Sequence, residues 1–238
     1  MLPCAILCGG LATRLRPVTE KTPKSLIPIH GEPFIAHQLR LLRANGVERV
    51  VLCAGYLGKM IQELVGDGSK FDMVVRYSFD GAQLLGTAGA IRKALPMLGD
   101  AFLVLYGDSY LSCDYGAVAT SFQHADAEAL MTIYRNEGSF DSSNVEAAGG
   151  RILRYDKRNR IPAMQYIDYG LGVFRKTAFQ DVQANEYCDL AQLYQDLLAK
   201  GRLASFEVRE RFFEIGSAQG IEDLKVYLGG GKVVSRRV

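Results

Sequence analysis

The sequence predicts an α/β fold, a mostly parallel mixed sheet flanked by helices with a small antiparallel part, on three observations. A continuously apolar run at residues 2–8 suits a strand buried on both faces of a sheet, and further apolar strands are expected at 47–53 and 102–106. Segments of helical period separate those strands. Beyond residue 125 the strands shorten around a Gly149-Gly150 turn, which predicts antiparallel pairing.

The elements follow in order. Gly9-Gly10 stops the first strand, and Pro33 opens a helix whose apolar face is Phe34, Ile35, Leu39 and Leu42, closed by Gly46. A strand at 47–53, a helix at 57–65, a strand at 73–77, a helix at 87–95 and a strand at 102–106 repeat the βαβ unit. After a helix at 115–124, short strands are expected at 129–134, 144–146, 152–156 and 170–174. A helix at 190–200, a strand at 203–208, the segment 212–215 and a helix at 219–228 complete one catalytic domain over residues 1–228. Residues 229–238, opening with three glycines, read as a flexible tail.

Composition narrows the partners. In 238 residues, 48% hydrophobic and 23% charged is ordinary globular usage, which excludes disordered, collagen-like and coiled-coil chains. The 28 basic and 26 acidic residues form no long block of one sign, so no nucleic-acid arm is expected. No apolar run reaches the roughly 18 residues of a membrane span, and Met1-Leu2-Pro3-Cys4 lacks a basic leader; a cytoplasmic protein without a membrane partner is expected. Cys4, Cys8, Cys53, Cys113 and Cys188 are odd in number and contain no C-x-x-C pair, which predicts reduced thiols. His30, His37 and His124 lack metal-ligand spacing.

The glycines carry more information than their number. Gly9-Gly10-Leu11-Ala12-Thr13-Arg14-Leu15-Arg16-Pro17 follows the first strand, and Lys24 comes soon after in Thr22-Pro23-Lys24-Ser25-Leu26. Glycines admit a close backbone and offer amide donors, while Arg14 and Lys24 bring the positive charge that phosphates require. The segment reads as a polyphosphate cradle, although its spacing fits neither the P-loop nor the dinucleotide fingerprint.

These residues resemble the signature of sugar-1-phosphate nucleotidyltransferases. Leu85-Gly86-Thr87-Ala88-Gly89, Gly107-Asp108, Tyr169-Gly170-Leu171-Gly172-Val173-Phe174 and Phe213-Glu214-Ile215-Gly216 extend the resemblance over most of the chain. Ala12 stands where the family usually has Gly. The resemblance implies a Rossmann-like catalytic domain of the nucleotide-diphospho-sugar transferase type, using Mg2+ to join an NTP to a sugar 1-phosphate with release of pyrophosphate.

The implied roles are specific. Arg14 would hold the β- and γ-phosphates, Lys24 the α-phosphate, and Asp108 and Glu214 the metal. Leu7, Gly9, Gly10, Thr13, Gln83, Gly86 and Thr87 would form the nucleotide site, and Lys157, Asp168, Tyr169 and Gly170 the sugar-phosphate site. Asp80 is a further candidate carboxylate. A monomer or small homo-oligomer is implied. The compact form most resembles D-glycero-D-manno-heptose-1-phosphate guanylyltransferases, with N-acetylmuramate-1-phosphate uridylyltransferases next. A binding protein that senses a nucleotide sugar without turnover is the competing reading.

Overall fold

The computed structural model describes residues 1–10 and 18–231; the expectations placed on Thr13, Arg14 and residues 232–238 lie outside them. The chain opens with β1 (Cys4–Leu7), and the hairpin β2 (Pro28–Ile29) and β3 (Glu32–Pro33) leads into α1 (Phe34–Ala44). Next come β4 (Arg49–Ala54), α2 (Gly58–Val65), β5 (Val74–Phe79), α3 (Gly86–Ala94) and β6 (Ala101–Tyr106). A sharp turn gives β7 (Ser109–Leu111), then α4 (Tyr115–His124), β8 (Ala129–Arg135), β9 (Val145–Ala148), β10 (Arg151–Tyr155) and β11 (Tyr166–Arg175). The last elements are α5 (Leu190–Ala199), β12 (Leu203–Val208), β13 (Phe212–Glu214) and α6 (Ala218–Leu228).

The main sheet runs β10-β9-β11-β6-β1-β4-β5, with β8 paired to β11 and β12 to β8. β1 lies parallel to β4 and β6, so that Leu7 faces Cys53 on one side and Tyr106 on the other. Its alternate side chains enter different cores. Cys4 and Ile6 pack with Leu39, Ile61 and Phe122 of α1, α2 and α4, while Ala5 packs with Ile91 and Leu193 of α3 and α5. That double burial is why the first strand is apolar at every position.

Antiparallel pairing joins β8, β9 and β6 to β11, and β9 to β10. β12 lies parallel to β8. β11 is longer than the 170–174 strand expected, because its register shifts between Asp168 and Gly172 and Gly170 takes a φ of +100°. The bulge lets the strand continue through a turn of backbone that an L side chain resists.

Side chains cap the helices where the sequence offers them: Asp114, Asp189 and Ser217 accept from the amides of Ala117, Ala191 and Gly220. At the other end of α6, the amides of Gly229, Gly230 and Gly231 bond the carbonyls of Lys225, Tyr227 and Val226. Among the described residues, no helix is long and apolar enough to cross a membrane.

The chain leaves β1 toward β4 and β5, then returns to β6 on the opposite side. Strand order therefore reverses between β1 and β6. The crevice at their carboxyl ends is where an open α/β sheet receives its ligand.

Candidate functional site

A cleft of about 440 Å³ occupies that crevice. Leu7, Cys8, Gly9 and Gly10 enter it from β1, and Tyr106, Gly107 and Asp108 from β6. Glycine brings the strand ends together. The Gly107 amide donates to the Leu7 carbonyl at 3.0 Å, and a Cβ on Gly107 would stand 2.6 Å from that same oxygen. Gly55, absent from the expected residues, backs Gly9 so closely that its own Cβ would lie 2.9 Å from the Gly9 carbonyl.

Lys24 begins a 3₁₀ turn, Lys24–Leu26, and its Nζ reaches Asp108 Oδ2 at 2.5 Å. β13 pairs antiparallel with β7 so that Glu214 stands opposite Ser109, and the Ile215 amide donates to the Asp108 carbonyl at 2.9 Å. A Cβ on Gly216 would lie 3.2 Å from both Lys24 Nζ and Glu214 Oε1. The structure thus brings Lys24, Asp108 and Glu214 together from three distant parts of the chain. Among the described residues, no group of three or more His, Cys, Asp or Glu converges to hold a metal. Two hard carboxylates fit a divalent cation that takes its remaining oxygens from phosphates and water.

Other groups of the cleft are polar but differently disposed. Burial raises the pKa of Asp80, against the opposing pull of the Leu85 amide at 3.3 Å and of Lys93. Burial and the nearby Asp80 push the Cys53 thiol up to about 12, and burial likewise raises Cys8. Both residues line the cleft, as thiols rather than nucleophilic thiolates. All five cysteines are unpaired, as expected.

The Leu85-Gly86-Thr87-Ala88-Gly89 segment has a use the sequence did not disclose. The Cys188 carbonyl accepts from the Ala88 and Gly89 amides at 2.9 and 3.2 Å, so a neighbouring strap of backbone satisfies this helix N-terminus. A Cβ on Gly86 would lie 2.5 Å from the Cys188 oxygen, and one on Gly89 2.6 Å from that of Glu186. The Thr87 hydroxyl donates to Asp189 and accepts from the Leu190 amide, fastening α3 to α5. Gly86 and Thr87 still line the cleft, and the strap adds Tyr187 and Asp189 to its wall. Gln83 is exposed and does not line it.

The expected sugar-phosphate residues divide. Asp168 is buried, 3% exposed, and its carboxylate takes Lys157 Nζ at 3.2 Å, the Tyr155 hydroxyl at 3.2 Å and the Gly170 amide at 3.1 Å. Burial works against the Lys157 ammonium, but Tyr106 and Asp168 beside it outweigh that and raise its pKa. Its Nζ lies 5.1 Å from the centre of the Tyr106 ring, which lines the cleft. Tyr169 is different: its side chain is 2% exposed and packs with Tyr134 and Phe212 in the core. Strand alternation turns Tyr169 away from the face that carries Asp168.

Residues 4–223 match the nucleotidyl transferase family. N-acetylmuramate alpha-1-phosphate uridylyltransferase of Neisseria meningitidis serogroup B is 29% identical over 240 residues, 95% of this chain and 98% of that protein. UTP–glucose-1-phosphate uridylyltransferase of Synechocystis is 27% identical over 223 residues, 82% of this chain but only 55% of that longer protein. HddC from Yersinia pseudotuberculosis, solved in complex with GMP-PN, superposes with a TM-score of 0.79 at 23% identity, over 96% of this chain and all of that one. The chain belongs to the nucleotidyl transferase family, and relatives it matches are sugar-1-phosphate uridylyl- and guanylyltransferases.

Proposed function

We propose that the protein transfers a nucleotidyl group from an NTP to a sugar 1-phosphate. The acceptor phosphate oxygen bonds to the α-phosphorus as the bond to the β-phosphate breaks, and pyrophosphate leaves. The observation that carries this reading is the convergence of Lys24, Asp108 and Glu214 at the β1/β6 crevice. Two polyanions must meet there, so the protein's task is positioning and charge neutralisation.

Lys24 presents its ammonium where the donor and acceptor phosphates approach one another. Gly9 and Gly10 leave the loop backbone open to phosphate, and a Cβ on Gly10 would meet none of the described residues within 4 Å. Asp108 and Glu214 would hold Mg2+, which when bound offsets phosphate charge. Lys157, fixed by Asp168 beside Tyr106, is oriented to receive the sugar phosphate.

For base and acceptor, the end-to-end match to the Neisseria protein supports UTP and N-acetylmuramate 1-phosphate. A guanylyltransferase acting on heptose 1-phosphate comes second, since the likeness to HddC at 23% identity concerns the fold. The test pairs each of the four NTPs with a panel of sugar 1-phosphates and reads pyrophosphate. Release with UTP and the N-acetylmuramate acceptor is the expected result. Nucleotide binding without release in any pair would overturn the enzyme reading in favour of a sensor.

A further inference from the structure

Gln38 is fully buried on α1, and its amide nitrogen donates to two main-chain carbonyls, those of Tyr106 at 2.9 Å and Ser109 at 2.8 Å. Those carbonyls bracket Gly107-Asp108, the turn that carries Asp108 out of β6 and into β7. Backbone bonds also tie the turn, from the Gly107 amide to Leu7 and from the Ile215 amide to Asp108, and the Asp108 carboxylate takes Lys24 Nζ and, at 3.4 Å, the Ser109 hydroxyl. Gln38 adds a clamp from the helix layer, closing the turn from beneath.

The orientation of the amide follows from its partners. Turned over, it would press its oxygen against two carbonyl oxygens. As placed, the oxygen is buried without a hydrogen-bond partner among the described residues. An apolar side chain would fill this position on the core face of α1 without that cost. The clamp on the turn is the compensating gain.

We propose that Gln38 is a positioning residue for Asp108, holding the Gly107-Asp108 turn so that the carboxylate meets Lys24 and the metal. The proposal rests on the reading of Asp108 as a carboxylate of nucleotidyl transfer. Gln38→Met keeps the length of the side chain and removes both donors. Mn2+ binding in the presence of nucleotide, read by electron paramagnetic resonance, is expected to weaken about 10–100-fold, the scale of lost outer-shell support. The KM for Mg2+ should rise with it, while the KM for NTP stays nearly constant and circular dichroism remains that of a folded chain. In an Asp108→Asn background the same substitution should cost less than about twofold in kcat/KM, because nothing is left to aim.

Wild-type Mn2+ affinity in folded Gln38→Met overturns the proposal, and so does an undiminished loss in the Asp108→Asn background. Should Gln38→Met fail to fold, Gln38→Leu carries the same measurements, since it too removes both donors. Pyrophosphate release by the wild type tests the functional reading separately. Mn2+ binding without release overturns nucleotidyl transfer alone, whereas release with unaltered Gln38→Met overturns the Gln38 role alone. A wild type that binds no Mn2+ overturns both.

Discussion

Lys24 Nζ and Asp108 Oδ2 stand 2.5 Å apart across 84 positions of sequence. The two side chains keep 19% and 35% of their surface, so the pair is partly solvated and worth only about 0–1 kcal/mol to the fold. Its value lies in the ligand. A lone carboxylate would repel phosphate, and on the proposed reading the ammonium would cancel that charge where the phosphates meet.

Lys24→Ala and Asp108→Asn should therefore each lower turnover by about 10²–10³, the usual loss when one electrostatic stabiliser is removed. Their Tm should stay within about 2–4 °C of the wild type, the shift that 1 kcal/mol produces in a chain of this size. Pyrophosphate release and thermal melts check both. A melt lowered by more than about 10 °C would assign the pair to the fold.

Glu214 and Lys24 both stand beside Gly216, and Lys24 pairs with Asp108, which predicts a metal requirement with unequal partners. Chelation with EDTA should abolish pyrophosphate release, and added Mg2+ should restore it. Glu214→Gln should raise the KM for Mg2+ by about 10-fold or more while nucleotide binding measured without metal stays unchanged. Turnover that persists through exhaustive chelation would remove the metal from the reaction.

Much of this arrangement was legible from residues near one another in sequence. The apolar run before Gly9 and the Gly107-Asp108 strand end locate two walls of the cleft, because burial on both faces leaves few residue types possible. Gln38 was hidden inside an apolar helix face, since its partners are backbone carbonyls that no side-chain pattern encodes. The strap at Tyr187 and Asp189 was hidden too, having neither helical nor strand period. Gly86 and Gly89 were visible as glycines, but the close approach of Cys188 and Glu186 that requires them belongs to tertiary structure.

Two glycines of the cleft should respond oppositely to a methyl group. At Gly107 a Cβ would lie 2.6 Å from a backbone oxygen of β1, so Gly107→Ala must move a central strand. A destabilisation of about 1–3 kcal/mol is expected, the cost of overpacking, together with loss of turnover. A Cβ on Gly10 meets none of the described residues within 4 Å, and Gly10→Ala should hold its Tm within about 2 °C. Denaturant melts of the two variants side by side check the contrast, and equal stability would refute the packing argument.

Lys157 is 41% exposed while its partner Asp168 is 3% exposed, so removing the lysine strands a buried carboxylate. The Tyr155 hydroxyl and Gly170 amide remain to share the charge. Discounted for the lysine's exposure, Lys157→Ala should cost about 1–2 kcal/mol. The kinetic expectation is more specific: the KM for sugar 1-phosphate rises, and that for NTP does not. Equal effects on both would place Lys157 outside the acceptor site.

Asp80 lines the cleft and pays for its place. Burial raises its folded-state pKa above the ordinary value of 3.8. Between the unfolded and folded values, the folded chain keeps a proton that the unfolded chain has released, so stability falls as pH rises through that window. Above the window the cost is fully present, and below 3.8 it vanishes. Asp80→Asn removes the titration while keeping an oxygen for the Leu85 amide. The variant should be more stable than the wild type at pH 7, with a margin that holds until the pH enters that window and then shrinks as it falls toward 3.8. Denaturant titrations of both proteins across that range measure the margin; one that stays constant with pH would mean that the carboxyl charge is not what burial opposes.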